Sequence, residues 1–242
     1  MYEKWKGVHT RCAFNMIQEL IPLTRPRTLA AALGPTILGA AFSYYAFGAA
    51  QGTGLAILHT VLIFLAVVTA QIVANLWNEY KDFKSGLDAG QKVGNAGSIT
   101  RGVITPELII TMIKVLMFVP IIIGLYLSAT ITWYYIPVGF LCILISFLYS
   151  GGPKPISRTP FGEISSGIAM GFAIVLITGY AWIRELSLAL LIPAIPSTLL
   201  VGSIMLTNNI RDIRNDESHG RHTLPIVLGR ERALSLMSIS YI

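Results

Sequence analysis

The chain has 242 residues, of which 54% are hydrophobic and only 12% are charged, and its mean hydropathy is +0.66. Because soluble domains carry roughly 25% charged residues, this composition excludes an ordinary soluble domain and indicates a membrane protein with several spans. The net charge is +6. The two cysteines, Cys12 and Cys142, lie far apart in sequence and indicate neither a disulfide framework nor a thiolate metal site.

Residues 1–28 form the first predicted segment. They carry five basic side chains dispersed among apolar ones, and the first long apolar run starts only after them. No cleavable signal is apparent in this pattern. We interpret residues 1–28 as a cytoplasmic amphipathic lead-in that lies along the membrane surface, and residues 29–242 as a transmembrane domain.

Six apolar runs are each long enough to cross about 30 Å of hydrocarbon, which takes roughly 20 residues. They are Leu29–Ala50, Leu55–Trp77, Pro106–Leu127, Trp133–Tyr149, Phe161–Ile183 and Leu186–Thr207. A partial seventh run begins near Leu224 and continues to Ile242. The predicted fold is therefore an all-α, polytopic membrane helix bundle with six complete spans and a partial seventh.

Most lysine and arginine residues lie in alternate connections, before the first span and after the second, fourth and sixth spans. Only Arg184 falls on the other side, and Lys114 lies inside the third span. Since basic loops stay in the cytoplasm, we predict an integral, multi-pass protein of the inner or cytoplasmic membrane with a cytoplasmic N-terminus. The positive charge thus sets the topology, and no nucleic-acid partner is required.

Two polar stripes lie at the cytoplasmic ends of the second and sixth spans. Read as a helix, the first places four residues on one face, namely Gln71, Asn75, Asn78 and Asp82. The second repeats every four residues, at Asn208, Asp212 and Asp216. Because polar faces on membrane helices are expensive and usually functional, and both spans run toward the cytoplasm, we expect the two stripes to form one site there.

Oxygen-rich side chains on two facing helices suit Mg²⁺ rather than a softer metal. Because Mg²⁺ is usually completed by water and substrate phosphates, the site predicts a phosphorylated ligand, which inside a lipid-spanning bundle has an apolar tail. Basic side chains nearby are suited to its phosphate oxygens. These candidates are Lys84, Arg101, Lys154, Arg211 and Arg221. A solvated interfacial face is the alternative interpretation, but two clusters of matching spacing favour a site.

Two motifs coincide with the stripes. The first is Asn78-Glu-Tyr-Lys-Asp82 followed by Gly86 and Asp88, and the second runs from Asn209 through Arg211, Asp212, Asp216, Gly220 and Arg221 to Thr223-Leu224. They resemble the aspartate-rich motifs of the UbiA superfamily of intramembrane aromatic prenyltransferases. Leu23-Thr-Arg-Pro-Arg-Thr-Leu29, Tyr149-Ser-Gly-Gly-Pro-Lys-Pro155 and Asn208-Asn-Ile-Arg-Asp212 are similar to its menaquinone-pathway branch, the 1,4-dihydroxy-2-naphthoate polyprenyltransferases.

This resemblance implies a bundle of nine helices, so residues 29–242 would form a UbiA-like prenyltransferase domain that is truncated at its C-terminus. It implies Mg²⁺-dependent transfer of a polyprenyl group from a prenyl diphosphate to an aromatic acceptor. In the menaquinone branch the acceptor is 1,4-dihydroxy-2-naphthoate, and the product is demethylmenaquinone, with loss of diphosphate and CO₂. The partners expected are these two substrates and the lipid bilayer, while no protein partner can be inferred.

The resemblance also assigns roles to residues by matching position. The metal ligands would be Asn78, Glu79, Asp82, Asp88, Asp212 and Asp216. The catalytic residues would be Asp82, Asp212 and Asp216, and the diphosphate contacts Arg101, Lys154 and Arg211, with Lys84 and Arg221 as further cations. Two positions depart from the family pattern: Glu79 stands where the first motif usually has Asp, and Arg214 where the second often has Glu.

Two other functions remain open at this point. One is a UbiA-type prenyltransferase with another acceptor, such as 4-hydroxybenzoate, a porphyrin or a glycerol phosphate. The other is a transporter or lipid-binding membrane protein without catalysis, which uses the acidic helices as an ion site. A transporter is expected to carry charge near the bilayer midplane and paired broken helices. Here the acidic residues lie at one interface, which favours the enzyme.

Overall fold

The computed structural model of the chain describes residues 20–86 and 98–241. Every regular element within them is helical, so the all-α prediction is confirmed. The helices are α1 (Ala30–Phe47), α2 (Thr53–Ser85), α3 (Pro106–Thr130), α4 (Tyr135–Ser150), α5 (Gly162–Ile183), α6 (Leu191–Ser218), α7 (Leu224–Leu228) and α8 (Arg230–Ile239). Single 3₁₀ turns at Pro26–Leu29, Ile156–Arg158 and Leu188–Leu190 precede α1, α5 and α6.

The number of membrane-length helices differs from the prediction of six complete spans. In the described part of the chain, five helices are long and apolar enough to cross a membrane, namely α1, α2, α3, α5 and α6 with its preceding turn. Helix α4 has only 16 residues, so at 1.5 Å per residue it is about 24 Å long. The bundle therefore has five membrane-length helices and one shorter apolar helix.

The predicted partial seventh span is replaced by two short helices. Helix α7 ends at Leu228, and the next residue, Gly229, has a φ of 81°, which favours glycine. Helix α8 then begins at Arg230 and has ten residues. The apolar run after Leu224 was wrongly read as one continuous span because this glycine break was not recognised.

Helices α2 and α6 extend further than the apolar runs that predicted them. Helix α2 continues past Trp77 to Ser85, and α6 continues past Thr207 to Ser218. Asp82 and Asp216 are thus both on regular helix. The helical spacing that we used to group each polar stripe therefore applies to its whole length.

Three helix pairs form the main packing seams: α2 with α3, α1 with α5, and α5 with α6. The α5–α6 seam depends on close backbone approach at a π-helical segment, Gly167–Phe172. A Cβ on Gly171 would lie 2.6 Å from the carbonyl oxygen of Ser197 and 2.6 Å from the Cα of Thr198. Only glycine fits there, and this contact fixes the first half of α5 against α6.

The described end of the predicted lead-in, residues 20–28, packs against α2. Leu23 is almost fully buried in a cluster with Val73 and Leu76. The side-chain amide of Asn75 donates to the carbonyl of Thr24 at 3.0 Å, and that of Gln71 donates to the carbonyl of Thr28 at 2.7 Å. Residues 1–19 lie outside the described part of the chain.

Candidate active site

The ends of α2 and α6 meet at one end of the bundle, where Arg221 joins an acidic residue from each helix. Its Nη2 atom lies 3.3 Å from Oδ1 of Asp82, and its Nη1 atom lies 3.2 Å from Oδ1 of Asp216. The side chain of Asp216 is 4% exposed, that of Arg221 16% and that of Asp82 21%. The two polar stripes therefore contribute to one largely buried ionic cluster.

A turn after α6 places Arg221 in this position. The backbone amides of His219 and Arg221 both donate to the carbonyl of Asp216, at 3.1 and 3.0 Å. Gly220, with a φ of 68°, allows the chain to reverse. The amide of His222 donates to the carbonyl of Arg158 at 3.0 Å, so the turn after α6 is also fixed to the turn that precedes α5.

Further cations act on this cluster. Arg25 and Arg158 both attract the carboxylate of Asp82 electrostatically. Arg25 follows the segment that α2 holds through Asn75, and it has a φ of 49°, which is rare for a residue with a side chain. Asp82 and Asp212 in turn repel Asp216. The site therefore combines several carboxylates with several guanidinium groups in a small volume.

The predicted residue Asp212 is part of a separate, more exposed ion pair. Its two oxygens accept hydrogen bonds from Nε and Nη2 of the neighbouring Arg211, at 2.9 and 2.8 Å. The side chain of Asp212 is 42% exposed and that of Arg211 is 70% exposed. Asp212 and Arg211 thus lie at the rim of the ionic cluster, while Asp216 lies inside it.

The remaining predicted metal ligands have protein partners or are not described. The Oδ1 atom of Asn78 accepts a hydrogen bond from the hydroxyl of Ser150. Glu79 is 1% exposed, and its Oε1 atom accepts from the amide of Ile99 at 3.5 Å. Asp88 lies outside the described residues. Within residues 20–86 and 98–241, no three His, Cys, Asp or Glu side chains are grouped as a ready metal site.

The other predicted diphosphate contacts have different surroundings. The Lys84 ammonium stands 5.8 Å from the ring centre of Tyr80. Arg101 donates to the hydroxyl of Ser98 at 3.2 Å, and the Lys154 side chain is exposed. Arg221 is the predicted cation that contacts acidic residues at the ends of both helices.

The sequence reasoning missed one buried acid, Glu163, in the first turn of α5. It is 4% exposed, and its Oε1 atom accepts a hydrogen bond from the side-chain amide of Asn209 at 2.8 Å. Asp216 repels it electrostatically, so it lies near the ionic cluster. The signal was available: Glu163 is the single acidic residue inside the apolar run Phe161–Ile183.

Comparison with known proteins identifies the family. The sequence pattern of the UbiA prenyltransferase family matches residues 32–242. The chain belongs to the UbiA prenyltransferase family. It is 38% identical over 231 residues to the 1,4-dihydroxy-2-naphthoate octaprenyltransferase of Bacillus subtilis strain 168, and the match covers 94% of this chain and 71% of that protein.

A second curated protein and a solved structure are also similar to the chain. The enzyme of the same name from Haemophilus influenzae is 29% identical over 225 residues, which cover 89% of this chain and 72% of that protein. The solved structure of a UbiA homologue from Archaeoglobus fulgidus bound to GPP and Mg²⁺ shares the fold, with a TM-score of 0.65 and 18% identity. That match covers 92% of this chain and 73% of the homologue.

The chain is therefore a prenyltransferase built as a multi-pass membrane helix bundle. The donors that it gathers at the ends of α2 and α6 are all oxygens and suit a hard divalent cation. Two carboxylates already share one cationic group there. A second observation points the same way: the Oε2 atom of Glu163 is buried and has no hydrogen-bond partner in the described part of the chain.

Proposed function

We propose that this UbiA prenyltransferase transfers a polyprenyl group from a polyprenyl diphosphate to 1,4-dihydroxy-2-naphthoate in an Mg²⁺-dependent reaction. The products would be the quinol form of demethylmenaquinone, diphosphate and CO₂. The observation that carries the reaction type is the meeting of Asp82 and Asp216 at Arg221. The 38% identity to a 1,4-dihydroxy-2-naphthoate octaprenyltransferase supports the choice of acceptor.

Asp82 and Asp216 are the residues that we assign to metal binding at the centre of the site, with Asp212 and Asn78 at its rim. Asp88 and Glu79 complete the predicted set. When bound, Mg²⁺ would neutralise the negative charge that develops on the departing diphosphate. The homologue from Archaeoglobus fulgidus that shares this fold was solved with Mg²⁺ and GPP.

The guanidinium groups of Arg25, Arg158 and Arg221 would hold the diphosphate oxygens. The first two already attract Asp82, and Arg221 contacts it directly. Guanidinium groups bind phosphate oxygens in pairs and stay charged when buried. Arg211, Lys84, Arg101 and Lys154 remain proposed contacts of the diphosphate.

The surrounding helices would keep water away from the reacting carbon. The allylic C–O bond breaks and diphosphate leaves with the bonding electrons, which produces an allylic cation. A ring carbon of the acceptor forms the new C–C bond, and loss of its carboxylate as CO₂ restores the aromatic ring. A water-poor, apolar bundle favours this outcome over hydrolysis of the cation. The basic connections support a cytoplasmic location for the site.

The test is an assay of the purified chain in detergent or lipid with Mg²⁺, a polyprenyl diphosphate and 1,4-dihydroxy-2-naphthoate. We expect release of diphosphate and CO₂ and a prenylated naphthoquinol in the mass spectrum. 4-Hydroxybenzoate serves as the matched alternative acceptor. Turnover with 4-hydroxybenzoate but not with 1,4-dihydroxy-2-naphthoate would contradict the proposed acceptor. Ion-driven uptake without any prenyl transfer would contradict the proposed enzymatic activity.

A further inference from the structure

Arg221 lies between two carboxylates that we assign to metal binding. Its two terminal nitrogens reach Asp82 on α2 and Asp216 on α6 at 3.3 and 3.2 Å. All three side chains are at most 21% exposed, so water screens their interaction only weakly. Separating either carboxylate from the guanidinium would leave a buried charge without its partner.

The backbone that carries Arg221 is fixed, whereas the end of its side chain is held by these two acids. The Arg221 amide donates to the carbonyl of Asp216, and the next amide donates to the carbonyl of Arg158, both at 3.0 Å. The Nε atom of Arg221 is buried and has no partner in the described part of the chain. The guanidinium therefore has a donor available for a further acceptor without any movement of the turn.

We propose that Arg221 and the divalent cation compete for Asp82 and Asp216, and that the prenyl diphosphate removes this competition by accepting the guanidinium on its own oxygens. This inference rests on the proposed function. A guanidinium and a divalent cation repel each other strongly when both are desolvated. Metal alone therefore binds weakly, because it must displace a guanidinium that is already paired with both carboxylates.

The diphosphate changes this balance. Its oxygens accept charge-assisted hydrogen bonds from Arg221, and the released carboxylates are then free to bind the metal. Metal and prenyl diphosphate consequently bind as one unit, with a favourable coupling between them. Until then, Arg221 neutralises the acid pair and keeps the ends of α2 and α6 together.

Metal affinity measured without turnover tests this directly. The probe is Mn²⁺, whose free form is followed by electron paramagnetic resonance, in the full chain with and without a polyprenyl diphosphate. A protein-free titration corrects for Mn²⁺ bound by the diphosphate in solution. We expect the native chain to bind Mn²⁺ about tenfold or more tightly when the diphosphate is present.

Two variants separate competition from simple loss of charge. In Arg221→Gln, we expect Mn²⁺ alone to bind about tenfold more tightly than in the native chain, with a much smaller gain from the diphosphate. Arg221→Lys keeps the charge but not the forked geometry, so its affinity should be intermediate. Arg214→Gln removes one exposed cation from the same helix and should leave both affinities unchanged.

The outcomes are distinguishable. If native protein transfers prenyl groups but binds Mn²⁺ equally well with and without the diphosphate, the competition is refuted and the proposed function stands. The same holds if folded Arg221→Gln binds Mn²⁺ no more tightly than native protein. If native protein neither transfers prenyl groups nor binds Mn²⁺ with the diphosphate, the proposed function itself is contradicted, and the competition that rests on it falls with it. The native measurement decides the matter even where a variant does not fold.

Discussion

At the end of the bundle where α2 and α6 stop, charged side chains pair with one another around Arg221, whereas at the opposite end the polar side chains are mostly neutral and bond to the backbone or to each other. At the opposite end, the amide of Gln51 donates to the carbonyl of Ala181 at 2.7 Å and contacts Nδ1 of His59 at 2.9 Å. The indole of Trp182 donates to the hydroxyl of Thr60 at 2.8 Å. One end thus holds a cluster of paired charges, and at the other end neutral hydrogen bonds hold the helices together.

Even the cation at the opposite end is used structurally. Arg184 ends α5 in the left-handed region, with a φ of 62°, and its Nη1 atom donates to the carbonyl of Thr130 at 2.8 Å. It thus satisfies a carbonyl at the C-terminal end of α3, where a positive charge is also favourable. The comparison predicts that substitutions at the two ends affect different measurable properties.

The largest effect should come from removing one acid of the charged end. Asp82→Asn keeps the shape of the side chain but removes the charge that Arg221 contacts. We expect prenyl transfer to fall about 10²- to 10³-fold, because this is the usual effect of losing one preorganised electrostatic group. The turnover rate at saturating substrates is the measurement. Asp212→Asn, at the exposed rim, should cause a smaller loss; a larger loss at Asp212 would reverse our assignment of centre and rim.

A change in the seam between the two ends should alter stability instead. Gly171→Ala places a methyl group 2.6 Å from the backbone of α6. We expect it to lower the free energy of unfolding by about 1–3 kcal/mol, as overpacking usually does, and to lower the midpoint of thermal unfolding in detergent. Gly124→Ala is the matched control, because a Cβ there meets nothing within 4 Å. Equal effects of the two changes would contradict the close α5–α6 contact.

The fold was largely predictable from sequence, since apolar length and basic connections need no tertiary information. The six apolar runs correspond to α1–α6. The differences lie where a local backbone feature decides the outcome: α4 has 16 residues, and Gly229 divides the expected seventh span. Hydropathy does not detect such a left-handed residue in an apolar run.

The site was predictable only in part. Periodicity places Asp82 and Asp216 on their helix faces, but it does not determine which neighbour each atom contacts. Glu79 belongs to the same motif as Asp82, yet it is held by the amide of Ile99 in a later connection. Arg221 reaches Asp82 across a sequence separation of 139 residues. Such pairs depend on how helices and turns assemble, which local spacing does not encode.

A smaller effect is expected at the neutral end. Gln51→Ala would leave the carbonyl of Ala181 and the fully buried His59 without the amide that contacts both. We expect a loss of about 1–3 kcal/mol in the free energy of unfolding, the usual range for a buried acceptor left unpaired. Prenyl transfer by the folded fraction should stay at the native rate. Glu185→Gln, an exposed change at the same end, is the control and should alter neither property.

The smallest effect, and the one that separates stability from function at a single residue, concerns Arg25. Its φ of 49° is unfavourable for any residue with a Cβ by roughly 1–2 kcal/mol. Arg25→Gly removes that strain together with a cation that attracts Asp82. We expect prenyl transfer to fall about tenfold, as loss of one charge-assisted contact to a phosphate implies, while thermal stability is unchanged or slightly raised.

Arg25→Ala loses the same charge but keeps the strain, so it should match the activity of the glycine variant and be less stable. A glycine variant that is less stable than the alanine variant would show that the left-handed conformation is not strained and that Arg25 stabilises the fold.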